Sequence, residues 1–162
     1  MNKRRIAVAL LIVVMALVVS FIFGNSLKSR EESRNDSDVV VGVIESIIRA
    51  IFGRKIENAS FVVRKLAHFA EFLLLGLAVS GFVTVVNYNR KWWLCGHALL
   101  FCLMVAVCDE LIQSFVDRGS TVSDVLIDFS GATVGFFVLI ALIEVVKIVK
   151  NKKHIIKKEK DQ

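Results

Sequence analysis

Three stretches of the chain carry ionisable side chains at spacings that could do chemistry. In the first, Arg64, Lys65, His68 and Glu71 lie close together, and Arg64, His68 and Glu71 fall at i, i+4 and i+7, on one face of a helix. The second is Asp109-Glu110-Leu111-Ile112-Gln113. Asp109 and Gln113 are at i, i+4 and Glu110 and Gln113 at i, i+3, so a helix running through them gains one polar edge. The third follows Arg118 and places Asp124, Asp128, Gly131 and Gly135 in one stripe, two carboxylates above a G-x-x-x-G. Arginine holds a carboxylate or phosphate in bidentate fashion, so Arg64, Lys65 and Arg118 are the candidate anion-binding residues. His68, Glu71, Asp109, Glu110, Gln113, Asp124 and Asp128 are the candidate catalytic residues. A carboxylate or imidazole shielded by lipid is suited to proton transfer. The same oxygen and imidazole donors could hold a divalent cation, although no cofactor is identified by the sequence.

The elements that must position these groups are apolar. The chain has 162 residues, 56% of them hydrophobic, and a mean hydropathy of +0.66. Four blocks, about 6–23, 66–86, 92–108 and 125–146, are long enough to cross a bilayer, which takes roughly 17–25 helical residues. Little chain remains outside them. The expected fold is therefore all-α: a polytopic membrane protein of four transmembrane helices, forming one domain over 1–162. The first block follows Lys3-Arg4-Arg5 and resembles a signal peptide in its basic start and in the small residues Gly24 and Ser26. Its apolar run exceeds the usual h-region of about 7–15 residues, so it reads as a retained span. The chain contains no proline, so no span is interrupted by that route. Glu71 lies five residues past Leu66, about 8 Å into its span at helical rise.

Basic residues set the expected direction. The N-terminus, the 87–91 turn and the tail from Lys147 hold twelve, against nine in 24–66 and at Arg118. Short loops and tails carry more weight than a long segment, which puts both termini in the cytoplasm and 24–66 and 109–124 outside. Trp92 and Trp93 suit the interface where the third span begins. Within the long outer segment, Val40, Ile44, Ile47, Ile48, Ile51 and Phe52 recur at helical spacing opposite Glu45, Ser46 and Arg49. That pattern predicts an outer amphipathic helix over 38–53, capped by Asp38 and stopped by Gly53. It could lie in the membrane interface or pack as a lid on the bundle.

The net charge of +6 follows from residues flanking the spans, so an anionic bilayer surface is the expected partner and nucleic acid is not. Cys95 and Cys102 are about 10 Å apart along one helix, too far for a disulfide, and no cysteine has metal-ligand spacing. There is no Ser-His-Asp spacing, phosphate loop or H-E-x-x-H. His97 and Glu144 lie near the inner face, Glu144 within reach of Lys147, and His154 sits in the basic tail. Any one of the polar groups has a structural role available, as an Asp–Arg or His–Glu lock between helices or as a snorkelling cation. The set is different, because so many costly groups at one membrane level point to use. Four spans without an internal repeat argue against a carrier.

These residues carry a family resemblance. Lys65-x-x-His68-x-x-Glu71 entering a span, Asp109-Glu110-x-x-Gln113, then Arg118 and Asp124-x-x-x-Asp128-x-x-Gly131-x-x-x-Gly135 together resemble the VanZ-like family, small multi-span bacterial membrane proteins. The similarity runs from the first span to the fourth. It departs at Phe72, where the family often has an aromatic hydroxyl, and at Val116-Asp117, where a Pro-Gly is frequent. The family's founding member is associated with resistance to the glycopeptide teicoplanin. The resemblance thus implies a cytoplasmic-membrane protein of the bacterial envelope, acting on or binding an anionic or lipid-linked envelope molecule, an envelope precursor or a glycopeptide-related ligand. A non-catalytic binding or partner subunit is the alternative.

Overall fold

The computed structural model describes residues 3–29, 32, 42, 59–86, 92–116, 119 and 121–160. Four helices make up the fold: α1 (Lys3–Ser26), α2 (Ala59–Val86), α3 (Trp92–Phe115) and α4 (Val122–Lys160). Each is long and apolar enough to cross a membrane. Apart from Gly42, the amphipathic helix expected over 38–53 falls outside the described residues, as does Arg118.

The helices outrun the apolar blocks that announce them. α2 begins at Ala59, so Arg64 and Lys65 lie more than a turn inside it. α3 continues past Cys108 through Asp109, Glu110 and Gln113 to Phe115. α4 extends beyond Val146 through the lysine-rich stretch to Lys160. The reason is that backbone hydrogen bonding propagates a helix across polar residues of good propensity, whereas hydrophobicity marks only the part matched to lipid.

The bundle is turned inside out relative to a protein in water. Leu17, Leu74, Leu100 and Leu126 face outward, while Asp109, Glu110, Gln113 and Asp128 are buried. Lipid accepts the apolar exterior, and protein rather than lipid must surround the charges. A core of Phe72, Leu75, Val79, Cys102, Ala106, Ala132 and Phe136 fills the middle of the bundle. α1 is the most peripheral helix, with only Ile22 and Ser26 fully enclosed. It is tied down at its other end by Arg4, whose guanidinium donates to the carbonyls of Val85 (3.2 Å) and Val86 (2.8 Å). Those are among the last carbonyls of α2, which lack partners within their own helix.

α2 and α4 make the closest contact. A Cβ at Gly131 would overlap the carbonyl oxygen of Phe69, one at Gly135 that of Leu73, and one at Gly76 that of Ala132. Glycines on both helices thus let the backbones touch, which is the meaning of the G-x-x-x-G read from the sequence. The pairs Phe69–Gly131 and Leu73–Gly135 advance together, so the two helices run in the same direction at a fixed register. Gly131→Leu or Gly135→Leu forces them apart. Either change is expected to destabilise the purified protein by about 1–3 kcal/mol or more, whereas Gly24→Leu, with nothing within 4 Å of the new Cβ, leaves it unchanged. Thermal unfolding in detergent measures this, and a wild-type transition in Gly135→Leu contradicts the close contact.

Candidate functional site

The register between α2 and α4 carries on above the glycines to their polar ends. Just beyond Phe69–Gly131 it sets His68 against Asp128, with 3.9 Å between His68 Nδ1 and Asp128 Oδ1. A further turn on, Lys65 forms an ion pair with Asp124. α3 closes the third side: Asp109 Oδ2 lies 3.8 Å from the same His68 nitrogen. The imidazole thus stands between two carboxylates. Asp109 is 0% exposed and Asp128 1%, while the His68 side chain is 16% exposed. Asp109 Oδ2 accepts a 2.8 Å hydrogen bond from Gln113 Nε2, which also donates to Ser26 Oγ on α1 at 3.3 Å. Among the described residues, Asp128 Oδ2 is buried with no hydrogen-bond partner.

Above this buried group lies a polar rim. Lys65 Nζ sits over the ring of Phe61, 4.7 Å from its centroid, as well as on Asp124. Glu110 Oε2 accepts from the backbone N–H of Thr121 at 3.2 Å, joining the end of α3 to the start of α4. Thr121 is also the N-cap of α4, its hydroxyl oxygen accepting from Asp124 N–H at 3.3 Å. Gly119 turns the chain between the two helices with φ 71°, a conformation that suits glycine. A cleft of about 20 Å³ opens here, lined by Arg64, Lys65, His68, Glu110, Asp124 and Asp128 among others. That is room for about one water molecule or a bare cation. The geometry combines two cations at the mouth with an imidazole and carboxylates at the floor, donors suited to an anion above and to a proton or metal ion below.

Most of the residues singled out by spacing meet in one place. Arg64, Lys65, His68, Glu110, Gln113, Asp124 and Asp128 all line the cleft, and Asp109 lies directly beneath it against His68. Glu71 does not join them. Its Oε1 accepts a 2.8 Å hydrogen bond from Asn25 Nδ2, so it faces α1 although it shares a helical stripe with His68. Phe72 is fully buried in the core. Asn25, Ser26, Thr121 and Gly119 were not evident as parts of the site from charge and spacing. The small polar pair that ends the first apolar run and the Thr121-x-x-Asp124 capping pattern are the signals that carry them. At the opposite end, Glu144 pairs with Lys147 at 3.0 Å as its spacing predicts, and His97 bonds to the Trp93 carbonyl at 2.7 Å.

The comparisons with known proteins agree with the sequence resemblance. A family model described as VanZ/LLP1 matches residues 8–144, from within α1 to the apolar part of α4. Neither a curated protein nor a solved structure matches the chain. The match takes in all four helices and every residue of the cleft, and the chain is a multi-pass membrane protein belonging to the VanZ/LLP1 family.

Proposed function

We propose that the protein binds or acts on an anionic or lipid-linked envelope molecule at the outer leaflet of the bacterial cytoplasmic membrane, contributing to glycopeptide resistance of the teicoplanin type. Arg64 and Lys65, with Arg118, receive the anionic group, and His68, Asp109, Glu110 and Asp128 below supply acid–base chemistry. The observation that supports this reading is the cleft in which a cationic mouth lies above a buried imidazole and carboxylates. Its position at the helix ends suits an amphiphile whose chains stay in the bilayer while its headgroup turns inward. In this orientation both termini are cytoplasmic.

A second reading draws on the same residues as locks. The Lys65–Asp124 pair, the Glu110–Thr121 bond and the Gln113 bridge to Asp109 and Ser26 each join different helices. On that reading the protein is a non-catalytic binding or partner subunit. Turnover of a lipid-linked phosphate by protein in nanodiscs separates the two.

Three outcomes are expected. Arg64→Ala and Lys65→Ala each weaken retention of a polyprenyl phosphate in nanodiscs by about tenfold, the worth of one charged hydrogen bond, measured by native mass spectrometry. Equal retention by both variants sinks the anion-binding role. In cells, an Asp109→Asn, Glu110→Gln double variant that inserts normally leaves teicoplanin susceptibility as high as in a deletion strain, while the wild-type gene restores resistance. Full resistance from the double variant removes the site from the function. Finally, an alkaline phosphatase fused after Gln162 is inactive and a green fluorescent protein fused there is fluorescent; the reverse pattern inverts the topology.

A further inference from the structure

The geometry points to a divalent metal site formed by His68, Asp109 and Asp128 at the floor of the cleft. One ligand atom from each residue can be chosen so that all lie within 4.8 Å of one another. His68 Nδ1 is 3.8 Å from Asp109 Oδ2 and 3.9 Å from Asp128 Oδ1. Two donors bound to one ion at 2.0–2.2 Å sit roughly 3.0–3.9 Å apart, so a small inward movement completes the set. The three donors come from three helices, α2, α3 and α4, and the glycine contacts hold the register of α2 and α4. Such a site is built on rigid elements rather than on loops.

A second observation points to a cation independently of this spacing. Asp128 is 1% exposed and lines the cleft, and among the described residues its Oδ2 has no hydrogen-bond partner. A carboxylate oxygen withdrawn from water without a donor is costly unless a positive charge approaches it. Among the described residues, Asp109, Glu110, Asp124 and Asp128 in and beneath the cleft meet Arg64 and Lys65, and Lys65 is already engaged by Asp124.

The donor set defines the ion's class. One imidazole nitrogen with carboxylate oxygens suits Mn²⁺ or Zn²⁺, and it lacks the thiolates that favour softer ions. Gln113 then acts as a positioning residue. Its Nε2 holds Asp109 Oδ2 at 2.8 Å and is itself fixed near Ser26 at 3.3 Å, the arrangement by which outer partners orient a ligating carboxylate. The proposal stands apart from the lipid-binding reading, because metal binding is measured with no substrate present.

The test titrates Mn²⁺ and, in competition, Zn²⁺ into wild-type protein purified in detergent without a polyhistidine tag. Electron paramagnetic resonance is expected to show one saturable Mn²⁺ per chain, with nitrogen modulation of its spin echo from one imidazole. His68→Gln removes the nitrogen signal, and Asp128→Asn weakens binding at least 100-fold. Gln113→Leu weakens it by about 10–100-fold, as for other outer partners of metal ligands. Glu144→Gln, several turns along α4 from Asp128, leaves it unchanged. Absence of saturable binding in the wild type overturns the site whether or not the variants fold. So does nitrogen modulation that persists in His68→Gln, or tight binding retained by Asp128→Asn.

Discussion

The contact between the backbones of α2 and α4 is the constraint on which the polar end depends. Gly76, Gly131 and Gly135 leave no space for a side chain between the helices. With no hydrophobic effect to draw helices together inside a bilayer, such close van der Waals approach is a main source of association. It also fixes a register, because the bumps of one backbone fit only one set of hollows on the other. Within about two turns of the Phe69–Gly131 contact, that register delivers His68 to Asp128 and Lys65 to Asp124. A slip of one residue would rotate each of these side chains by about 100° and disperse them.

Placing carboxylates at such a level has a cost that the rest of the bundle must meet. Asp109 and Asp128 are withdrawn from water, and lipid offers them nothing. α3 contributes its own relief through Gln113, and α1 adds Ser26 and Asn25 at the point where its apolar run ends. The peripheral helix therefore has a specific part. Most of α1 faces outward, but its last turn hydrogen-bonds to Glu71 of α2 and Gln113 of α3. Arg4 at its opposite end binds the terminal carbonyls of α2, so α1 is held at both ends and loosely between them.

The site is layered by charge. Lys65 and Arg64 line its mouth, Glu110 and Asp124 tie the start of α4 to its neighbours, and His68 with Asp109 and Asp128 forms the floor. An anion reaching the cleft meets the cations first and the buried donors second. This order gives the lipid-binding and metal-binding proposals a common geometry while leaving each to its own test.

The sequence by itself determined the class of fold and singled out most of the residues that meet at the cleft. Four apolar blocks of bilayer length specify four helices, since only a helix satisfies its own backbone within lipid. Charges at i, i+3 and i+4 spacing specify polar edges near the helix ends, and the family resemblance rests on the same residues. What the sequence left open was where helices end and which stripes face one another. Hydropathy marks the lipid-matched part of a helix, so α2 and α3 each extend several residues beyond their apolar blocks. Only the tertiary packing decided that Glu71 turns to Asn25 while His68, one turn away on the same stripe, turns to Asp109 and Asp128. Periodicity gives a direction around one helix axis. The neighbour that lies in that direction is chosen by the fit of backbones across the glycines, a property of two helices that neither encodes alone.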